Sequence, residues 1–496
     1  MPLYHRRPAQ QQGLYGRGET RYDGAQATGS GILTHLHVAI VGAGPAGMSA
    51  AVEAQRRGAR VTLIDEAPKP GGQIFRQSAT NQKLIVGLPG ELKRKTELLL
   101  RFDAIRDRID YRCKHTAYAL FEGPELHISD DNTSEVLRPD VVVIASGVCE
   151  RAIPFPGWTL PGVVYAGAAQ ALLKSQGLRF GERIVIAGAG PLPVAVAAQL
   201  VRAGARVVAV AMLYPLRGML LQPWALWMGR SVVKEGWQYL NTLRHNKVEL
   251  LSAMVPVRAD GCRHIESVQL ARHDGTGRHL AGTERRIGCD VLALNYGFTV
   301  NSELANMAGV RFEYNPGRGG WVPVTDHLCR TSVAGVMVAG DGAGLRGARV
   351  AECEGRIAGA AAACYFNDTG TDQLEQELEK EFRQRRQHGV FQRAVQQTLY
   401  LPRGVWEWAD NDTVVCRCEC ISLHRIRQAV AQGHTSMNGI KRNTRAGMGW
   451  CGGRMCMQNV AAIATAGRAP GDLPPMTPRP LARPVTLRSL QNQRTP

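Results

Sequence analysis

Uninterrupted apolar runs alternate with helical stretches over most of the chain. His37–Val41 (HVAIV) is apolar without a break, as expected of a strand buried on both faces. A helical stretch over Met48–Arg57 follows, Gly58 closes it, and Arg60–Asp65 (RVTLID) is the next strand. The order returns later: strand Arg183–Ala187, helix Ala195–Arg202, stop at Gly204, strand Arg206–Val210. A further apolar strand in Gly335–Gly340 leads into a small-residue helix, Ala348–Ala363. Strands alternating with helices predict parallel sheets covered by helices, an α/β fold. Beyond this the pattern changes. Leu374–Gln397 is strongly charged, with Leu374, Leu378 and Phe382 at helical spacing, and reads as a helical linker. Leu423–Gln432, capped by Ser422 and ended by Gly433, is expected to be a helix, as is Val460–Ala466. After Gly467 proline and arginine dominate; such a segment should form neither helix nor sheet, and reads as disordered or as an extended strap along a partner.

The turn after the first strand is Gly42-Ala-Gly44-Pro45-Ala46-Gly47. Set between a strand and a helix, this glycine pattern is a dinucleotide site. Gly42 permits the tight turn, Gly44 lets the backbone approach a pyrophosphate at the helix N-terminus, and Gly47 lets helix and strand pack closely. Asp65, with Glu66 beside it, ends the second strand, where a carboxylate can hold a ribose hydroxyl.

A distant segment, Gly340-Asp341-Gly342 before the small-residue helix, resembles the second FAD-binding sequence of the two-dinucleotide-domain flavoproteins. The resemblance implies that Asp341 hydrogen-bonds the ribityl chain and that the helix N-terminus faces the flavin. Ile144-Ala145-Ser-Gly147 resembles that family's crossover back into the FAD domain, and Gly72-Gln73 the segment after the ribose acid in thioredoxin-reductase-like members. FAD is therefore the expected ligand. No Cys-x-x-Cys or Cys-x4-Cys accompanies either nucleotide motif, which argues against disulfide reduction.

The second motif, Gly188-Ala-Gly190-Pro-Leu-Pro193, is damaged. Pro193 carries a ring where the third glycine belongs. The following strand ends Val210-Ala211-Met212, and the departure falls at Ala211, with no acid for a ribose and no Arg cluster for a 2′-phosphate. Gly188 and Gly190 can still offer backbone amides to an adenine nucleotide, but efficient NAD(P)H turnover is not expected. Met212–Trp237, with Trp224 and Trp227, reads as core or subunit interface.

Composition narrows the class. The chain has 496 residues, 44% of them hydrophobic and 21% charged, which suits a globular protein of about two to four domains. The net charge of +18 comes mostly from scattered arginines without dense basic runs, so an acidic protein partner or a solvated surface is expected and nucleic acid is not. No apolar window is long enough for a transmembrane helix. The first 35 residues lack a secretory apolar core and read as a mobile extension. The 12 cysteines form no disulfide framework, which fits a reducing, cytoplasmic compartment.

Four of those cysteines stand apart. Cys416 and Cys418 lie in Val-Cys-Arg-Cys-Glu, Cys451 and Cys456 in Trp-Cys-Gly-Gly-Arg-Met-Cys. Four thiolates are what a [2Fe–2S] cluster needs, two per iron, whereas a Cys-x-Cys arm fits a zinc knuckle poorly. Cys420 is a spare thiol nearby. With the Lys441-Arg442-Asn-Thr-Arg445-Ala-Gly-Met-Gly stretch, these thiols resemble the bacterioferritin-associated-ferredoxin (BFD) type of [2Fe–2S] domain, and the basic residues would partly offset the cluster's charge.

Together with Cys149-Glu-Arg-Ala-Ile-Pro-Phe-Pro-Gly157-Trp, the whole resembles the α subunit of heteromeric amino-acid dehydrogenases: opine oxidase, D-hydroxyproline dehydrogenase, hydrogen cyanide synthase and part of heterotetrameric sarcosine oxidase. The resemblance implies a Rossmann-like α/β flavoprotein with its second dinucleotide domain inserted in the first, plus a small α-rich BFD-like domain. The expected divisions are 1–35 extension, 36–165 and 296–366 FAD domain, 166–295 degenerate nucleotide domain, 367–411 linker, 412–467 cluster domain and 468–496 tail. It also implies an FAD-bearing β subunit of the D-amino-acid-oxidase type that oxidises the amine. In such relatives FMN can sit at the subunit interface, a small [2Fe–2S] γ subunit can join, an ATP or NAD molecule can be held unreduced, and the acceptor chain can bring peripheral membrane contact. A self-contained NAD(P)H-dependent flavin/[2Fe–2S] reductase is the competing expectation.

Overall fold

The computed structural model describes residues 36–78, 87–215, 230–366, 371–398, 400–466, 470–478 and 480–494. The expected extension 1–35, together with Trp224 and Trp227, lies outside them.

Two five-stranded parallel sheets organise the chain. In the first, β1 (His37–Val41) is central, with β2 (Arg60–Asp65) and then Asp110–Cys113 on one side, Val141–Ile144 and then Val336–Val338 on the other. Val38, Ala39 and Ile40 are fully buried, which is why the run carries no polar alternation. Helix α1 (Pro45–Arg56) begins at the proline, earlier than the apolar pattern suggests, because proline's fixed φ suits the first helical position. It packs against the later small-residue helix Ala348–Ala363. A Cβ on Gly355 would lie 2.1 Å from the Ala46 carbonyl oxygen, and one on Gly359 2.3 Å from that of Ala50. Small residues are what let the two backbones touch.

In the second sheet, β3 (Ile184–Gly188) is central. On one side lie β4 (Val207–Met212) and Glu249–Ser252; on the other, Val291–Asn295 and Val163–Tyr165. Helix α2 (Leu192–Arg202) follows β3. Val163–Tyr165 thus joins the second sheet, ahead of the division expected after residue 165. Between the sheets, Val148–Glu150 and Phe298–Val300 pair antiparallel where the chain crosses over and back.

The charged segment after these layers forms helices Thr371–Glu377 and Glu379–Thr398. Its apolar positions Leu374, Leu378 and Phe382 are buried in the same core as Phe75 and Ile357, so it is packed onto the first layer and does not simply span a gap. The cluster module has helices Leu423–Ala431, Met437–Thr444 and Met457–Ala464 around its own small core.

The expectation that the tail forms neither helix nor sheet is overturned. It contains a helix, Leu487–Gln491, capped by the Thr486 side chain, and Gln493–Arg494 adds a strand beside Ser134–Leu137. No proline falls between Val485 and Thr495, so nothing there forbids a helix, and the edge of the Ser134–Leu137 strand supplies backbone partners.

Candidate functional site

The glycines of the first turn have separate tasks. Gly42 has φ +105°, and a Cβ there would lie 2.5 Å from the Ala145 carbonyl oxygen. Its amide donates to the Ile64 carbonyl at 2.7 Å. A Cβ on Gly47 would lie 1.7 Å from the Gly42 carbonyl oxygen, so Gly47 serves helix packing. Gly44 is different: a Cβ there meets only the Gly72 Cα, at 3.8 Å, leaving its surface open. Asp65 holds the turn together, its Oδ2 accepting the Ala43 amide at 2.5 Å and its Oδ1 the Ala67 amide at 2.6 Å. Burial pushes its carboxyl above the usual range despite these donors. Asp341 is also buried; its Oδ1 accepts the Arg346 and Gly347 amides at 2.9 and 2.8 Å, and burial raises it too.

These groups open onto one cavity of about 1390 Å³ that runs between the two sheets. Gly42, Gly44, Pro45, Ala46, Asp65, Glu66, Gly72, Gln73, Ala145, Gly147, Asp341 and Gly190 line it. Gly47, Gly188 and Gly340 do not; a Cβ on Gly340 would lie 2.7 Å from the Ala46 Cβ, and one on Gly188 2.0 Å from the Asn295 carbonyl oxygen, so their role is packing.

Strand register sharpens the defect in the second motif. Val41 pairs with Ile64, so Gly42 is level with Asp65; Gly188 pairs with Met212. Met212, and not Ala211, therefore occupies the place of the ribose acid, and it is 2% exposed in the core of the second layer. The Ala189 amide, counterpart of the Ala43 amide that Asp65 accepts, donates instead to the Asn295 carbonyl at 2.8 Å. Pro193 is accommodated against Gly188, and α2 starts at Leu192, one residue later than α1 relative to the motif.

At the C-terminal module the four thiols approach as two pairs, Cys416 with Cys456 and Cys418 with Cys451. Among the described residues no three His, Cys, Asp or Glu side chains gather around one ion-sized position. The hydrogen bond from Cys456 lowers the Cys416 thiol to about 6, and the same contact pushes Cys456 well up. Burial, then Cys451, raises Cys418 to about 11. Cys420 is exposed, with its Sγ 3.7 Å from the Arg417 carbonyl oxygen. Of the basic residues expected to balance a cluster, Arg445 pairs with Glu419 at 2.8 Å, Arg442 is exposed, and Lys441 is buried with its Nζ 3.4 Å from the Thr477 carbonyl oxygen.

This module is fastened to the rest. Trp158 Nε1 donates to the Val414 carbonyl at 2.7 Å, and the Arg417 guanidinium lies 6.0 Å from the centre of the Trp158 ring. Arg454, between Cys451 and Cys456, lines the cavity, donates to the Cys451 carbonyl at 3.1 Å and pairs with Glu303 at 3.2 Å. Gln458 also lines the cavity and donates to the Gly319 carbonyl at 2.8 Å. One loop thus carries two thiols and a wall of the cavity.

Comparison with known proteins gives the same two parts. The family model for pyridine nucleotide-disulphide oxidoreductases matches residues 36–363, and that for BFD-like [2Fe-2S] binding domains matches residues 414–465. An opine oxidase subunit of Agrobacterium tumefaciens is 34% identical over 91% of this chain and 90% of its own length. The chain belongs to the family of this opine oxidase subunit. Within it, hydrogen cyanide synthase subunit HcnB of Pseudomonas aeruginosa is 32% identical over 85% of this chain and 91% of its own. The crystal structure of L-proline dehydrogenase from P. horikoshii shares the fold, with a TM-score of 0.65 at 20% identity, covering 92% of this chain and 79% of that one. The chain is a flavoprotein oxidoreductase subunit with a [2Fe–2S] domain, and among the described residues no helix is long and apolar enough to cross a membrane.

The residues present suit this family's cofactors. The open face of Gly44 and the buried acids Asp65 and Asp341 fit a dinucleotide, and two thiol pairs fit a [2Fe–2S] cluster. Sequence reasoning missed the middle of the cavity. Glu150 accepts the Gly167 amide at 2.9 Å and the Asn295 side-chain amide at 2.8 Å, and burial raises its carboxyl. The Tyr296 hydroxyl is buried without a partner, and Lys174 pairs with Glu91 at 3.0 Å. Glu150 was legible only as part of the Cys149-Glu-Arg pattern; the others belong to no motif.

Proposed function

We propose that this chain is the electron-transfer component of a heteromeric dehydrogenase whose partner, an FAD-bearing subunit, oxidises the C–N bond of an opine or a cyclic amino acid such as D-hydroxyproline. The observation that carries the reading is the Cys451–Cys456 loop, whose Arg454 lines the dinucleotide cavity while the flanking thiols meet Cys418 and Cys416. Oxidation of CH–NH to C=N releases two electrons; bound FAD exchanges electrons in pairs or singly, and a [2Fe–2S] cluster carries one at a time. This chain's residues hold and orient. Gly44 admits the pyrophosphate to the α1 N-terminus, Asp65 fixes the turn beside the ribose, and Asp341 presents a carboxylate to the ribityl end. Arg454 ties the thiol loop to the cavity wall through Glu303. A cytoplasmic setting, a small [2Fe–2S] partner, FMN at the interface with the β subunit, and an unreduced adenine nucleotide against Gly190 complete the proposal.

Met212 at the ribose-acid position and the ring of Pro193 support an electron source other than NAD(P)H. Anaerobic spectra test this. An opine or D-hydroxyproline should bleach the chain only when the β subunit is present, and NADPH alone should not. Rapid bleaching of the isolated chain by NADPH overturns the proposal and makes it a self-contained reductase.

A further inference from the structure

The tail crosses the cavity at a place that neither family model reaches, since those end at residues 363 and 465. Ala482 and Arg483 line the cavity together with Asp65, Glu66 and His115. The Ala482 amide donates to the Tyr118 carbonyl at 2.6 Å, which fixes the crossing point. Arg483 turns inward: its Nε pairs with Glu66 at 3.0 Å. Its Nη1 is buried without a hydrogen-bond partner, the Glu303 carboxylate being 3.9 Å away. A buried guanidinium N–H without an acceptor is costly, and the cavity is where an acceptor can stand.

The crossing is held at both sides. Upstream, a Cβ on Gly447 would lie 2.6 Å from the Met476 sulfur, and the Thr477 amide donates to the Asn438 side chain at 3.0 Å, which places the strap against the thiol-bearing module. Downstream, the Thr486 hydroxyl donates to the Asp131 carbonyl at 3.0 Å and Gln493–Arg494 pairs with Ser134–Leu137.

We propose that this strap closes the adenosine end of the FAD cavity and that Arg483 is itself an FAD-binding residue, its free N–H donating to a ribose or phosphate oxygen. The proposal rests on the FAD reading above. FAD then enters and leaves only when Leu481–Arg483 lifts, and the strap opposes its loss.

The test uses the full-length flavin- and cluster-loaded protein, wild type and Arg483→Ala, with the release of flavin followed by the rise in its fluorescence on dilution. Loss of one charge-assisted hydrogen bond should speed FAD release by about tenfold, with the cluster's visible spectrum retained. As a second measurement needing no variant, proteinase K should cut the strap of the wild type at Leu481–Ala482 about tenfold more slowly with FAD bound than after deflavination. FAD that leaves both proteins at the same rate, or cleavage indifferent to FAD, overturns the strap alone. A wild-type protein that carries no FAD overturns the strap and the functional reading together.

Discussion

Gly44→Ala separates what the cofactor demands of the first turn from what the fold demands. Gly44 has φ −76° and ψ −174°, an extended conformation open to any residue. A Cβ there meets nothing nearer than the Gly72 Cα at 3.8 Å, an ordinary contact. The deflavinated variant should keep its stability, or gain about 0.4–1 kcal/mol because the unfolded chain loses freedom. With FAD, the same methyl stands where the pyrophosphate must approach the backbone. Losing a hydrogen bond to a charged group costs about 1.5–3 kcal/mol, so FAD affinity should fall roughly ten- to a hundredfold. Gly47→Ala is the control. Its Cβ would sit 1.7 Å from a backbone oxygen that cannot yield without moving the turn. Overpacking of that kind costs about 1–3 kcal/mol or more and should lower the deflavinated protein's Tm by several degrees. Thermal unfolding of the deflavinated proteins and flavin fluorescence titration read the two effects separately. A Gly44→Ala protein that binds FAD as tightly as wild type, or that melts as early as Gly47→Ala, refutes the reasoning.

Cys451→Ser should abolish the iron–sulfur absorption and leave bound flavin in place; an unchanged spectrum removes Cys451 from the ligand set. Trp158→Phe, which deprives the Val414 carbonyl of its donor, should lower stability by about 1 kcal/mol, read by thermal unfolding, and a variant as stable as wild type makes that bond dispensable. Glu150 has its carboxyl raised above the ordinary 4.5 by burial, so the unfolded chain gives up this proton first. Its contribution is whole below that ordinary value and is lost as pH climbs through the raised one. The stability of wild type minus that of Glu150→Gln should therefore fall as pH rises past 4.5; a difference that stays flat above that value means that Glu150 does not titrate as its burial requires.

The chemistry that could be read from the sequence was the chemistry that sits on local patterns. Gly42, Gly44 and Gly47 are legible because a strand, a tight turn and a helix start impose themselves within a few residues. The two thiol pairs are legible because short spacing reports a shared site. The damage to the second nucleotide motif was legible, but its location was off by one: sequence stops the strand at Val210 and points to Ala211, whereas the strand runs on to Met212 and the pairing of Gly188 with Met212 decides the counterpart of Asp65. Register belongs to two strands at once, and a bulge between Ile184 and Val185 hides it from counting along either.

The middle of the cavity and the tail escaped for a different reason. Glu150 is set by Gly167 and Asn295, which lie 17 and 145 residues away, so its burial has no local signature. The tail looked unable to form helix or sheet, and read as disordered or as a strap, because proline removes donors and fixes φ. That argument holds for a segment left to itself. Here the partners are supplied from far away: Tyr118 for Ala482, Glu66 for Arg483, Asp131 for Thr486 and the Ser134–Leu137 edge for the last strand. A proline-rich chain has little conformational entropy left to lose, which makes it well suited to being pinned at a few points across a surface. The composition that argued for disorder is thus also the composition of a strap, and only the long-range contacts separate the two.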